Sequence, residues 1–155
     1  MGKYWVGFSD FTTSTANKTA AKIIGASTKR FEVVDIIMTG SGITAAAATQ
    51  HECKVAFLSN TGAGTAVGSP TPSKADQAAN VSLLTAGTSY SAESTTYETN
   101  VFPLFGFNQQ GGMRFGVPEG SGFKTDGGQT NLSFGVLVIS SAAGKVSGNV
   151  FWIEP

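Results

Sequence analysis

The chain has 155 residues, with ten basic and ten acidic side chains and a formal net charge of +0. That length fits one domain, and the charge balance offers no broad positive field for nucleic acid or an anionic membrane. Charged residues make up 13% of the sequence, while hydrophobic residues make up 41% and include 11 phenylalanines, a composition that excludes charge-driven disorder and leaves little repulsion between copies.

Residues 1–19 carry Tyr4, Trp5, Phe8 and Phe11 ahead of the stretch TTSTANKT. A strand is expected over Tyr4–Phe8, either as the first strand of the domain's own core or as an arm exchanged with a neighbour. The domain proper is expected over residues 20–155, with strands at Ala20–Ile24, Phe31–Met38 and Glu52–Ser59. Alternation places Cys53, Val55 and Phe57 on one buried face and Glu52, Lys54 and Ala56 on a wet one. Asp35, inside an apolar strand, is expected to form an ion pair, buried or between subunits, with Arg30 or Arg114.

Residues 61–80 hold glycines, two prolines and no sustained apolar alternation, so they read as a long loop. Such a loop is uncommon in a compact domain unless it makes contacts, and Pro70, Thr71 and Pro72 are its candidate contact residues. A brief helix is expected near Ser73–Ala79, with Ser73 as N-cap and Asp76 in the first turn. Strands follow at Tyr97–Phe107, Met113–Val117, Leu132–Ser140 and Lys145–Trp152, separated by Gly111-Gly112, Gly120-Ser121-Gly122 and Asp126-Gly127-Gly128. In the third of these, Leu137 and Ile139 make the second face apolar too, so the strand is central or covered by another subunit. The pattern predicts an all-β, single-domain antiparallel β-sandwich or jelly-roll-like barrel with long loops.

No catalytic, cofactor or metal residue is assigned. His51 is the single histidine, which rules out a multi-histidine metal site within one chain. His51 and Cys53 share a strand face with Cα atoms ~7 Å apart, and the expectation is an inward-packed Cys53 with a partly solvated His51 at the strand end. Gly62-Ala63-Gly64-Thr65 lacks the Gly-Lys-Ser/Thr ending of a phosphate loop, and Asp126 alone is too few ligands for calcium. No apolar run approaches the roughly 18 residues of a membrane span, and the N-terminus shows no secretory pattern.

The segments RFEVVDIIMTGSG, HECKVAFLSNTGAGTAVGSPTPSKADQAA, LTAGTSYSAESTTY, LFGFNQQGGMRFGVPEG and NVFWIEP, taken in order, resemble a group of tailed-bacteriophage virion structural proteins. The resemblance covers most of the chain from about Phe31 onward. It implies a capsid decoration, or cement, protein on a β-sandwich or jelly-roll-like domain. It also implies a homotrimer bound to the major capsid protein at the capsid surface of the virion, made in the host cytoplasm. The expected contact residues are Tyr4, Trp5, Phe8, Phe11, Pro70, Thr71, Pro72 and Trp152. An alternative is a tail-fibre or receptor-binding module that holds a glycan through Trp5, Trp152 or Tyr97.

Overall fold

The computed structural model describes all residues except 26–28, 43–48, 60–63, 76–81, 94–96 and 126–131. The described elements are β1 (Gly2–Thr12), β2 (Lys18–Ile24), β3 (Glu32–Ser41), β4 (Gln50–Ser59), β5 (Thr65–Gly68), β6 (Ser73–Lys74), β7 (Thr85–Ala92), β8 (Tyr97–Asn108), β9 (Gly112–Gly116), β10 (Phe123–Lys124), β11 (Leu132–Ser140) and β12 (Lys145–Glu154). One sheet runs β10-β3-β12-β1-β6, with β9 also on β3, and the second runs β5-β7-β2-β11-β4-β8. Every pairing is antiparallel, and the inner faces of the two sheets meet in one core, so the domain is an all-β sandwich.

Alternation along the long strands fills that core. Tyr4, Val6 and Phe8 of β1 face inward with Val33, Ile36 and Met38 of β3, Cys53 and Val55 of β4, Phe134, Val136 and Val138 of β11, and Val146, Val150 and Trp152 of β12. A register shift between Phe8 and Phe11, with Asp10 at φ 50°, rephases β1 so that Phe8 and Phe11 both point inward although three residues apart. Residues 2–12 are therefore a strand of the domain's own sheet, held between β12 and β6.

The region expected as one loop holds the short strands β5 and β6. Ser73, expected to cap a helix, instead pairs with Trp5 in β6; its neighbours at 76–79 lie outside the described residues. The glycine turn at Asp126 and the Gly62-Ala63 part of the glycine run also lie outside them. At the next turn, residues 109–111 make the reversal while Gly112 already belongs to β9.

The outer side of the second sheet is not uniformly wet. Ala56, Leu58 and Leu137 are buried there with Val101 packed on them, because β11 is central, between β2 and β4. Lys22 lies in the same side's row, opposite Gly87 on β7 and Gly135 on β11. Its burial is nearly complete. Tyr90 and Leu58 lean over the two glycines, reaching 2.4 Å and 2.5 Å from where their Cβ atoms would stand. Burial there lowers the Lys22 pKa.

Cys53 is buried among apolar neighbours, and burial first, then the charge of Glu52, pushes its thiol up to about 12. The folded state then keeps its proton where the unfolded chain gives it up. This contribution to stability is fully present below the ordinary thiol value of 9.0 and is lost as pH rises toward about 12. Tyr4 and Tyr90 are raised in the same sense, chiefly by burial. We expect native protein at pH 8 to resist a thiol-specific reagent and the urea-unfolded chain to react at once. Rapid labelling of the native state would show that this part of the core opens readily.

Candidate functional site

His51 is not partly solvated: it is buried at the junction of both sheets. Gln109, in the turn from β8 to β9, donates from Nε2 to the carbonyls of Ser41 at 2.7 Å and Lys145 at 2.8 Å. That fixes its Oε1 as an acceptor, so His51 Nε2 carries the hydrogen at 2.8 Å and Nδ1 accepts from the Ser140 hydroxyl at 2.6 Å. The imidazole also packs on Phe107, ring centroids 5.2 Å apart. Gly144 leaves room for this network, since a Cβ there would lie 2.5 Å from Gln109 Oε1 and 2.8 Å from the His51 ring. The serine–histidine contact resembles a catalytic pair, but its far side ends on a neutral amide and both residues are buried. Its work is to join β4, β11 and the β8–β9 turn.

The predicted contact residues separate into two groups. Tyr4, Phe8 and Phe11 are buried in the chain's own core, and Trp152 is 0% exposed, with Tyr4 stacked on it at 6.1 Å. Trp5 points the other way, half-buried against Phe151 on the outer side of the first sheet. Pro70 and Pro72 are half-buried and Thr71 is exposed, between β5 and β6. The side chain of Tyr97, the first residue of β8, lies outside the described ones. Asp35 takes Arg114 rather than Arg30: Nη2 donates at 2.6 Å and Nε at 3.1 Å to Oδ2.

The largest departure from the expected contact surface is on β8, the edge strand of the second sheet. Phe102 lies opposite Val55 and Phe105 opposite Cys53, so both sit on the core-facing side. They are nonetheless 45% and 51% exposed, on the last strand of the sheet. Leu104, between them, is the extra residue in a register shift and packs partly on the core. Pro103 supplies no N–H, and the irregularity twists the strand, two features that oppose addition of another strand to this edge. What remains available is the pair of aromatic side chains. The sequence did carry a signal for this: a proline inside an apolar run marks an edge strand.

No protein-family model matches the chain, and no curated protein does. Among solved structures, the chain is similar to that of T=1 particles derived from infectious bursal virus, with 10% identity and a TM-score of 0.24, over 98% of this chain and 39% of that one. The VP2 subviral particle of infectious bursal disease virus gives 10% identity and a TM-score of 0.16, over 99% of this chain and 40% of that one. The chain thus spans about two fifths of the length of these solved chains. Likenesses at such TM-scores decide neither fold nor function.

Proposed function

We propose that this protein is a virion structural component, a decoration subunit that attaches to the outside of a protein shell of major capsid protein and stabilises it, as a homotrimer. The observation that carries the reading is the half-exposed Phe102 and Phe105 on the edge strand of the sandwich. Large aromatic side chains held on a rigid strand, with backbone pairing opposed by Pro103, make a side-chain contact surface for another protein. The low charge of the chain and the resemblance of its segments to phage structural proteins support the same reading. Repetition over a symmetric shell would let each modest contact add to a durable layer.

The test is binding of purified protein to particles stripped of it, followed by electron microscopy. We expect density on the outer shell at three-fold positions. A Phe102→Ser, Phe105→Ser double variant should fold as wild type and bind at least about tenfold more weakly. Density confined to the tail or the particle interior, or full binding by the double variant, would overturn the reading.

A further inference from the structure

The outer side of the first sheet has a composition that the shell contact leaves unused. Its central row runs Ser73, Trp5, Phe151, Asp35 and Gly116 across β6, β1, β12, β3 and β9. The Trp5 and Phe151 rings lie 6.2 Å apart and 29° from parallel, forming one aromatic strip. The next row holds Gly7, Asn149, Ile37 and Arg114. Asn149 Oδ1 comes within 2.8 Å of the point a Cβ on Gly7 would take, and the Trp5 ring within 3.4 Å. The missing side chain of Gly7 is what lets an amide lie beside the indole.

At the β3–β9 end of the strip stands the Asp35–Arg114 pair. The aspartate is mostly covered, while the arginine side chain is 68% exposed. A shallow cleft of about 510 Å³ adjoins it, lined by Val34, Asp35, Arg114, Gly116, Val117 and Pro118. Gly116, opposite Asp35, leaves the cleft without a side chain at that point. Among the described residues Asn149 has no hydrogen-bond partner for its side chain, so its amide donors and acceptor face the surface unspent.

We propose that this face binds a neutral saccharide. The apolar C–H face of a pyranose fits an aromatic strip. Neighbouring hydroxyls, each both donor and acceptor, fit a surface that offers a carboxylate, a guanidinium and a free amide within two adjacent rows. The ion pair sums to zero charge, which favours an uncharged sugar over a uronate or phosphorylated one. An open, wet site suits hydroxyl recognition, where bridging waters serve nearly as well as direct contacts. This inference does not rest on shell attachment, because Phe102 and Phe105 belong to the other sheet.

The test uses purified full chain on a printed array of neutral and acidic bacterial surface oligosaccharides, then titration calorimetry with any oligosaccharide that binds. Neutral sugars should bind, and Arg114→Ala and Asn149→Ala should each weaken binding by about tenfold while leaving the melting temperature unchanged. Trp5→Ala should abolish binding, and the Phe102→Ser, Phe105→Ser variant should bind sugar as wild type does. Absence of binding on the array, binding of acidic sugars alone, or indifference to Arg114→Ala and Asn149→Ala would each overturn the proposal.

Discussion

Replacing Glu154 by alanine is expected to lower the unfolding free energy by roughly 3 kcal/mol, since a donor left buried and unpaired costs about 1–3 kcal/mol and its three donors comprise one buried and two part-buried. The carboxylate is buried near the end of β12. Its Oε1 accepts from Trp152 Nε1 at 3.0 Å and from the Ser82 hydroxyl, and its Oε2 accepts from Leu83 N at 3.1 Å. It thereby fastens the segment leading into β7 against the first sheet. Glutamine at this position keeps one acceptor oxygen but turns an amide N–H₂ toward a donor, so its loss should be intermediate. Urea midpoints with an unchanged slope would measure both. An alanine variant as stable as wild type would show that these donors find water instead.

The second large effect is expected at His51. Alanine there removes a ring packed on Phe107, takes the acceptor from the Ser140 hydroxyl and leaves Gln109 Oε1 with the 3.4 Å bond from Lys145 N, for a loss of about 3–5 kcal/mol. At this chain length that corresponds to a melting-point drop on the order of 10 °C. Phenylalanine restores volume but not the hydrogen bonds, so the gap between His51→Phe and wild type isolates the polar part. A stable domain has only about 5–15 kcal/mol in hand, so either alanine variant takes a large share. If His51→Ala melted with wild type, the junction of the two sheets would have to be held elsewhere.

The strands β1, β3, β4, β11 and β12 were legible because bulky residues alternate along them. β7 was not: its buried positions include Ala86, Gly87 and Thr88, and small side chains give no apolar rhythm. β5, β6 and β10 are too short for a period to show. For the expected contact residues, residue type singled out the aromatic side chains, but the face each one uses depends on register. Tyr4 and Trp5 are neighbours in sequence and lie on opposite sides of a sheet. Phe8 and Phe11 share a side only because of the irregularity at Asp10. His51 reads as a partly solvated residue at a strand end and nothing in the sequence singles out Glu154, since their partners Gln109, Ser140, Ser82 and Leu83 are remote in sequence. Asp35 was readable as half of an ion pair, with the choice between two arginines settled by the β3–β9 register.

Gly2 lies opposite Glu154 across the β1–β12 pair, so tension applied between these two positions would act along the hydrogen bonds at one end of the ladder. Bonds loaded that way give one after another, like a zipper, whereas bonds loaded lengthwise along two strands must break together. The domain is therefore weak when pulled by residues 2 and 154. Any strain it resists within a larger assembly has to enter through its faces and side edges.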